Sequence, residues 1–315
     1  MNLIIYLPVL NEAMNLQAVL STLPKHLDGV DNIEILVIDD GSKDDSAEIA
    51  RVSSAQVISH DRNRGVGATF RSAVQYALVN QADILVGIDA DGQFDPNEIA
   101  DLIAPILQNK AEMVIGSRFS NGKPAYMSSV KYWGNRMVTN LINSITGEKF
   151  SDVSCGFRAY GREALFRLNV FGNFTYTHET ILSMVYQGLR VFEKPVKVTY
   201  YPERKSRVAR SITNYTLQTI KIILRILLDY RAMRILGTIG NILIGIGVLC
   251  EIGLFTYYAF AHRFTPYKVV GFIGLGFALF GMMIWLVALI SDLLNRMRKN
   301  MDQQLYEIKK MRYSR

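Results

Sequence analysis

Cysteine and histidine are scarce in this chain of 315 residues, which contains two cysteines and four histidines. Cys155 and Cys250 lie far apart, so the sequence has neither the disulfide framework of a small secreted domain nor the Cys/His spacing of a zinc site. This scarcity fits a reducing, cytoplasmic environment. The opening stretch "MNLIIYLPVLNE" has no basic leader and Pro8 interrupts its apolar run, so we expect no signal peptide.

Acidic residues become rare towards the C-terminus. Residues 201–315 carry 17 Lys and Arg against 6 Asp and Glu, whereas residues 1–200 carry 18 and 22. The net charge of +7 therefore belongs to the C-terminal part. Because its basic residues lie beside apolar stretches rather than in a separate stripe, we expect no nucleic-acid partner.

Long apolar runs are confined to this C-terminal part, at 235–261 and 269–291. Each exceeds the roughly 20 residues that a helix needs to cross a bilayer, so we predict two transmembrane helices. Glu251 is the one acidic or basic side chain within them. With glycines nearby at positions 237, 240, 245 and 247, we expect Glu251 to mark a close helix contact, within one chain or between subunits of a homo-oligomer.

Basic residues predict the orientation of the two spans. Most lie before the first span or after the second, and few lie in the connecting loop: Arg225, Arg231 and Arg234, then Arg296, Arg298 and Lys299, against Arg263 and Lys268. The positive-inside rule then places both termini in the cytoplasm, including a basic tail at 292–315. In residues 211–234 the charges share one helix face, which predicts an amphipathic helix in the membrane interface or, alternatively, one packed on a soluble domain.

The first 210 residues alternate short apolar runs with helical patterns. The strand candidates are "LIIYL", "IEILVID", "AQVISH", "DILVGID" and "EMVIGS". The helix candidates between them are "NEAMNLQAVLSTL", "KDDSAEIARVS", "GATFRSAVQYALV" and "PNEIADLIAPIL". This alternation predicts an α/β domain with a mostly parallel sheet flanked by helices.

Acidic residues follow three of the predicted strands. Asp89 and Asp91 open the stretch "DADGQFDP", Asp39 and Asp40 end another strand, and Glu12 follows the first. The carboxyl ends of parallel strands share one edge of a sheet, where ligands bind. Such a cluster suits a hard cation such as Mg²⁺ or Mn²⁺ that holds a diphosphate, although a solvated acidic turn would also contain Asp and Gly.

A dinucleotide-binding fingerprint is not met in this part of the chain. The stretch "NRGVGATF" has Gly65 and Gly67, but Phe70 takes the place of the third glycine. The glycines are better explained by a turn that brings two backbone segments close together.

Six motifs in this order carry a resemblance: "PVLNE", "VIDDGSKD", "NRGVGA", "DADGQFDP", "GSRF" and "DVSCGFRAY". Together they resemble family 2 glycosyltransferases, whose GT-A fold is Rossmann-like, over about the first 210 residues. With two C-terminal spans, the chain is similar to the polyisoprenyl-phosphate branch of that family, which includes bactoprenol glucosyltransferases and dolichol-phosphate mannose synthases.

The resemblance implies a role for each site residue. The nucleotide-sugar donor would contact Pro8, Asn11, Glu12, Asp39, Asp40 and Asp89, together with Arg204 and Arg207 from the basic segment "RKSRVARS". The metal would be held by Asp89, Asp91 and Gln93. The acceptor phosphate would contact Arg118, Lys131, Arg136 and Arg158. Asp152, grouped with Arg118, Lys131 and Arg136 as catalytic, would orient the acceptor or take a residual proton, or would merely cap a helix.

The chain departs from the family pattern in two places and lacks a motif of a related branch. The family's basic R-x-x-G-x-S segment is degenerate in "RKSRVARS", which carries Arg204 and Arg207. Trp133 precedes Gly134 where mannose synthases carry Arg, so Lys131 or Arg136 would have to substitute for it. The Q-x-x-R-W motif of processive polysaccharide synthases is absent, because neither Trp133 nor Trp285 follows an Arg. His178 borders the acceptor motifs, and a packed histidine is the simpler interpretation.

The resemblance implies metal-dependent transfer of a hexose in a single inverting displacement. UDP-glucose is the favoured donor, and the acceptor is polyisoprenyl (undecaprenyl or dolichyl) phosphate at the cytoplasmic membrane face, as in cell-envelope glycosylation. The products are a lipid-linked sugar and a nucleoside diphosphate. GDP-mannose as donor, and a non-catalytic membrane scaffold that binds a nucleotide sugar, are the alternatives.

Overall fold

The structure of the protein, a computed structural model, describes residues 1–169, 176–200 and 212–313, and for 212–220 and 222–231 it describes the helix alone. The chain forms two compact units. The first comprises Met1–Thr216 with Asp302–Arg315, and the second is Leu217–Met301. The last residues of the chain therefore belong to the same unit as the first.

The first unit is built on a seven-stranded sheet in the order β3-β2-β1-β4-β6-β5-β7. Its strands are β1 Asn2–Val9, β2 Asn32–Asp39, β3 Gln56–Ser59, β4 Ile84–Gly87, β5 Met113–Ser117, β6 Arg158–Gly161 and β7 Val191–Pro195. β6 pairs antiparallel with both of its neighbours, and the other pairings are parallel. The predicted α/β fold with a mostly parallel sheet is confirmed.

Helices connect and cover the strands. They are α1 Ala13–Thr22, α2 Ser46–Val52, α3 Val66–Val79, α4 Ile99–Leu107, α5 Ser129–Thr146, α6 Arg162–Arg167 and α7 Thr177–Tyr186, with a 3₁₀ turn at Pro96–Glu98 before α4. The first five strands and first four helices lie where the hydrophobic pattern predicts them. The pattern missed β6, "RAYG", and β7, "VFEKP", because both are short and interrupted by charged residues.

The residues of β1 alternate between two apolar layers, as expected for a strand covered on both faces. Leu3, Ile5 and Leu7 are buried in the same core as residues of α1 and α4. Tyr6 points to the other face, where its ring centre lies 6.0 Å from that of Phe70 in α3. The faces of this strand are therefore occupied by packing, which leaves the ends of the strands for ligands.

One edge of the sheet collects the carboxyl ends of β1, β2 and β4. These strands are neighbours and parallel, with Val9 of β1 paired to Asp39 of β2. Because β6 runs the opposite way, the residues just before it reach this edge too. Segments as distant in sequence as 9–12, 89–93 and 150–157 thus lie along one edge.

Two long helices form most of the rest of the chain, α8 Ile212–Ala261 and α9 Lys268–Tyr313. Both contain stretches long and apolar enough to cross a membrane. The predicted segment 211–234 is helical from Ile212 onwards, and α8 continues from it without a break into the first span. The charged face expected for that segment falls mostly outside the described side chains. Likewise, α9 passes through the predicted tail to Tyr313.

Glycines bring α8 and α9 into backbone contact within the second unit. A Cβ on Gly240 would lie 2.9 Å from the carbonyl oxygen of Gly281, and one on Gly247 would lie 2.5 Å from that of Gly274. Glu251 faces the same contact, since a Cβ on Gly274 would lie 3.2 Å from its Oε1. The expected close helix contact therefore exists within one chain.

We expect Gly247→Leu to destabilise the second unit by about 1–3 kcal/mol, because the new side chain would overlap the Gly274 backbone. Gly245→Leu is the matched control, since a Cβ there meets nothing within 4 Å. Melting temperatures of the full chain in detergent test this expectation. Equal melting temperatures for the two variants would contradict the packing.

Candidate active site

The acid pair, Asp89 and Asp91, follows β4 at the edge where the strand ends meet. Burial and then the charge of Asp91 raise the pKa of Asp89 to about 6; Glu12 also raises it, whereas Arg118 and Lys131 lower it. Five side chains from distant parts of the sequence therefore share one electrostatic environment. Three of them are acids and two are bases.

This arrangement fits a divalent cation. The proximity of Asp91 helps to raise the pKa of Asp89, and a cation bound to both carboxylates would offset that repulsion. In residues 1–169, 176–200 and 212–313, no three His, Cys, Asp or Glu side chains are placed to hold a metal by themselves. Mg²⁺ is commonly held by one or two carboxylates together with substrate phosphates, so the remaining ligands would come from a diphosphate.

Gln93, the third predicted metal ligand, is fixed by its backbone. Its N–H donates to Asp91 Oδ1 at 3.0 Å, and its carbonyl accepts from the Thr199 N–H at 2.9 Å. The first of these bonds orients the Asp91 carboxylate. A metal contact by the Gln93 side chain stays a prediction.

Arg118 and Asp152 form a buried ion pair near the acids. Arg118 Nε donates to Asp152 Oδ2 at 2.6 Å, and Nη2 donates to Oδ1 at 3.0 Å. Asp152 is fully buried and also accepts from the Ser154 N–H at 3.0 Å. Burial alone would raise the pKa of Asp152, but the charge of Arg118 and these hydrogen bonds lower it below its usual value. These contacts keep Asp152 ionised and hold the Arg118 guanidinium in place. The catalytic role of Asp152 stays a prediction.

Glu193 of β7 fixes the turn that carries Asp152, and sequence reasoning missed it. Its carboxylate accepts from the N–H groups of Ser151 and Asp152 and from the Ser151 hydroxyl, and the shortest of these contacts is 2.8 Å. The signal available was a lone Glu inside the strand "VFEKP". That signal could not reveal which turn the Glu would meet.

Lys131 contributes the second cation of the site. It lies in the first turn of α5, where its N–H donates to the hydroxyl of the capping residue Ser128 at 3.2 Å. Its ammonium lies 5.6 Å from the ring centre of Tyr200, whose hydroxyl accepts from Arg118 Nη1 at 3.4 Å. Burial and then the charge of Arg118 lower the pKa of Lys131, while the acid pair raises it. Tyr200 was not predicted.

Arg136, on the same helix, meets the turn before Asp152. Its Nη1 lies 3.5 Å from the carbonyl oxygen of Ser151. The bases whose charge acts on Asp89 include Arg118 and Lys131. Arg118 and Lys131 therefore lie near the acid pair, and contact of any of these bases with a phosphate stays a prediction.

The ends of β1 and β2 are tied together by predicted donor-binding residues. Asn11, with a left-handed φ of 52°, accepts the Lys43 N–H on its side chain at 2.8 Å and donates its own N–H to the Ser42 hydroxyl at 2.9 Å. Asp39 Oδ1 accepts the Ser42 N–H at 2.9 Å. Pro8 lies next to the last residue of β1. These residues form one rim at the ends of the two strands.

Asp40 holds the loop before α3, and the sequence did not predict this role for it. It accepts from the N–H groups of Arg64 and Gly65 at 2.9 and 2.8 Å, and its Oδ1 lies 2.7 Å from His60 Nδ1. His60 Nε2 in turn lies 3.0 Å from the Ser72 hydroxyl of α3. Asp40 therefore holds the glycine-containing loop before α3. Its contact with the donor stays a prediction.

Gly41 explains how closely that loop approaches the end of β2. Its φ is +77°, and a Cβ would lie 2.7 Å from the carbonyl carbon of Arg62. A side chain at this position would push the loop away from the strand. The motif "VIDDGS" thus needs its glycine for packing as well as for the turn.

Arg158 is not placed to contact an acceptor phosphate, contrary to the prediction. It is fully buried, and its guanidinium donates to three backbone carbonyl oxygens and to the Thr180 hydroxyl, at 2.8 Å for the hydroxyl. The carbonyls belong to Cys155, Val153 and Thr177. These bonds join the turn before β6 to α7. The predicted Arg204 and Arg207 lie outside the described residues.

Aromatic rings and a histidine pack beneath the site. The hydroxyls of Tyr6 and Tyr176 lie 3.0 Å apart, and the Tyr176 ring stacks on Phe70 at 4.2 Å. His178 is buried, and neither of its ring nitrogens has a hydrogen-bond partner among the described residues. Burial and then the charge of Arg158 lower the pKa of His178 to about 4. It is a packed, neutral histidine, as the simpler interpretation had it.

Residues 4–168 match the family model described as Glycosyl transferase family 2. The chain belongs to this family. The match covers the sheet from β1 to β6 and contains the acid pair, Arg118 and Asp152. The protein is therefore a glycosyltransferase with a GT-A-like fold, and an enzyme rather than a non-catalytic scaffold.

Named relatives extend the similarity beyond the family domain. Glycosyltransferase AglJ of Haloferax volcanii is 26% identical over 309 residues, which cover 96% of each chain. A UDP-N-acetylglucosamine–dolichyl-phosphate N-acetylglucosaminyltransferase of Methanococcus voltae is 30% identical over 220 residues, with 62% of this chain and 86% of that protein covered. The similarity to AglJ thus spans nearly the whole chain.

A solved structure shares the fold at lower identity. Glucosyl-3-phosphoglycerate synthase of Mycobacterium tuberculosis, in complex with Mn²⁺, UDP and glucosyl-3-phosphoglycerate, has a TM-score of 0.54 and 20% identity to the glycosyltransferase. The match covers 70% of this chain and 79% of that one. At this identity the likeness is one of fold.

We expect Asp152→Asn to lower the free energy of unfolding by about 3–5 kcal/mol, because it leaves the buried Arg118 without its charge partner. Turnover should fall roughly 100-fold as Arg118 loses its position. Ser154→Ala is the control, since its hydroxyl makes only a 3.3 Å contact to Asp152. Thermal unfolding and sugar-transfer rates test both changes, and near-normal turnover in Asp152→Asn would remove the ion pair from the mechanism.

His178 should make stability depend on pH. Its pKa is about 4 in the folded protein and near 6.5 in the unfolded chain, so the unfolded state binds the extra proton first as pH falls. Between pH 7 and pH 5 this lowers the free energy of unfolding by about 2 kcal/mol, and above pH 7 it has almost no effect. Unfolding measured at both pH values should show a smaller loss in His178→Gln than in the wild type. The same loss in both proteins would contradict a neutral, buried His178.

Proposed function

We propose that the glycosyltransferase moves a hexose from a nucleotide sugar to polyisoprenyl phosphate at the cytoplasmic face of a membrane, with Mg²⁺ or Mn²⁺ bound. The observation that carries the proposal is the acid pair in the same electrostatic environment as Arg118 and Lys131. Carboxylates for a metal and cations for a phosphate are what a transfer between two anionic substrates requires.

The donor side of the reaction uses the acids. The bond that breaks joins the anomeric carbon to the diphosphate, and the leaving nucleoside diphosphate accumulates negative charge. Asp89 and Asp91 would hold a divalent ion, which would supply electrostatic stabilisation of that charge. We place the nucleotide along the rim of Asn11, Glu12 and Asp39 at the ends of β1 and β2.

The acceptor side uses the cations. The bond that forms joins an acceptor phosphate oxygen to the anomeric carbon. Because a phosphate monoester is already anionic near neutral pH, it needs cations to hold it rather than a strong base. Lys131 and the Nη1 end of Arg118 are the candidates, while Asp152 holds Arg118 in place.

Three observations support a lipid acceptor, a uridine donor and a metal. Two helices are long and apolar enough to cross a membrane. The Methanococcus voltae relative is named for UDP-N-acetylglucosamine and dolichyl phosphate. The Mycobacterium tuberculosis enzyme with this fold was solved with UDP and Mn²⁺. UDP-glucose is our first donor, from the resemblance to bactoprenol glucosyltransferases, with UDP-N-acetylglucosamine and GDP-mannose as alternatives.

Purified full-length protein with polyisoprenyl phosphate, Mg²⁺ or Mn²⁺ and each radiolabelled donor tests the proposal. We expect label in the lipid product from UDP-glucose, and none when EDTA replaces the metal. Label from another donor alone would overturn the sugar assignment, and label in the presence of EDTA would overturn the metal. A lack of labelled lipid with every donor would overturn the acceptor.

Asp89→Asn and Asp91→Asn should each lower transfer roughly 100-fold or more. A neutral amide would hold the divalent ion less well, and this ion is what stabilises the leaving diphosphate in the proposal. Asp95→Asn is the matched control from the same motif. Asp95 is exposed and caps the 3₁₀ turn by accepting the Asn97 N–H, a role that Asn also performs. Steady-state rates at saturating metal separate these cases, and an equal loss in all three variants would count against a specific role for the acid pair.

A further inference from the structure

A cavity of about 370 Å³ in the first unit shares no described lining residue with the candidate active site. It is bounded by α3, by the residues that follow α6, and by the last turns of α9 from Leu305 to Tyr313. Its volume is in the range of small-molecule sites. Nothing in the proposed transfer reaction uses it.

This α3–α9 cavity has largely apolar walls. Phe70, Val74 and Leu78 line it from α3 at intervals of four residues, so they form one stripe along the helix. Leu305 and Ile308 line it from α9. An apolar group in the cavity would therefore meet side chains of both helices.

Every charged side chain described around the α3–α9 cavity is basic. They are Arg71 of α3 and Lys309 and Arg312 of α9, and the described lining residues include no Asp or Glu. Gln75 and Asn169 add neutral amide groups. The charge of the cavity therefore complements an anion.

Lys309 shows most directly that a negative charge would be favourable in the cavity. This half-buried side chain donates its ammonium N–H groups to the carbonyl oxygen of Leu168 at 2.5 Å and to Asn169 Oδ1 at 2.9 Å, and both of these acceptors are neutral. The Asn169 side chain also links the Lys309 ammonium to Asp302, because its Nδ2 donates to Asp302 Oδ1 at 3.0 Å. An ammonium that is partly desolvated against neutral oxygens is stabilised when an anion joins it.

We propose that the α3–α9 cavity binds an amphipathic phosphate. Lys309 and Arg312 hold the phosphate group, and the apolar arm lies between α3 and α9. Guanidinium groups bind phosphate oxygens through paired hydrogen bonds, and a lysine adds a compact charge. A membrane phospholipid and a soluble phosphate ester with an apolar group both have this chemistry, so the source of the ligand is a matter for the test.

Photolabelling of the full-length protein tests the proposal. The protein is placed in phosphatidylcholine nanodiscs, and the probe is octyl phosphate with a diazirine on its alkyl chain. We expect label on peptides that contain residues 70–78 or 305–313. The same diazirine on octanol, which carries no phosphate, should label these peptides roughly tenfold less, because its charge-assisted hydrogen bonds are missing.

Two variants and a neighbouring control sharpen the result. Lys309→Gln and Arg312→Gln should each reduce labelling roughly tenfold, whereas Lys310→Gln should leave it unchanged. Lys310 is the next residue along α9, but its ammonium bonds to the Tyr306 hydroxyl at 3.1 Å and does not line the cavity. Arg312 is exposed, so its variant keeps the test valid if Lys309→Gln fails to fold.

Competition then identifies the source of the ligand. Suppression of labelling by phosphatidic acid in the disc assigns the cavity to a membrane lipid. If unlabelled octyl phosphate suppresses labelling and phosphatidic acid does not, the cavity is assigned to a soluble ester. Equal labelling by the octanol probe, labelling that survives in both variants, or label mapped to other peptides would each overturn the proposal.

Discussion

Repulsion between neighbouring carboxylates is the constraint on which the candidate active site depends. Burial raises the pKa of Asp89 most, and the nearby charges of Asp91 and Glu12 raise it further. Such a cluster is costly unless positive charge compensates it. Arg118 and Lys131 compensate part of the charge, and the proposed metal would compensate the rest. A site of this kind is balanced when its charged ligands are bound, which suits transfer between a nucleotide sugar and a phosphate.

Much of the surrounding structure serves to hold these charges in place. Asp152 fixes Arg118 through two hydrogen bonds, and Glu193 fixes the turn that carries Asp152. Arg158 closes the same turn from inside by bonding to backbone carbonyls. These groups would be costly to bury alone, and their bonds join segments distant in sequence. Arg118 is thus positioned by residues that need not touch a substrate.

The parts of the fold that could be predicted are those with a local signal. β1 to β5 and α1 to α4 have clear apolar periodicity, and the strand ends carry the Asp clusters. β6 and β7 could not be predicted because "RAYG" and "VFEKP" are too short and too polar to show a period. Yet β6 runs antiparallel, and this brings Asp152 to the edge that holds Asp89. The topology, rather than any motif, explains why those two motifs meet.

Local patterns were sufficient for the class of fold, the two apolar helices and the set of acids at the strand ends, because periodicity and composition are properties of short segments. Which partners each charged residue contacts became clear only in the folded chain. Arg118 and Arg158 look alike as residues of conspicuous motifs, but Arg118 lies near the acid pair whereas Arg158 is surrounded by backbone carbonyls. Asp40 also belongs to a conspicuous motif, and the fold shows that its carboxylate accepts hydrogen bonds from the loop before α3. Burial and the choice of hydrogen-bond partner depend on contacts between distant segments, and no local pattern records them.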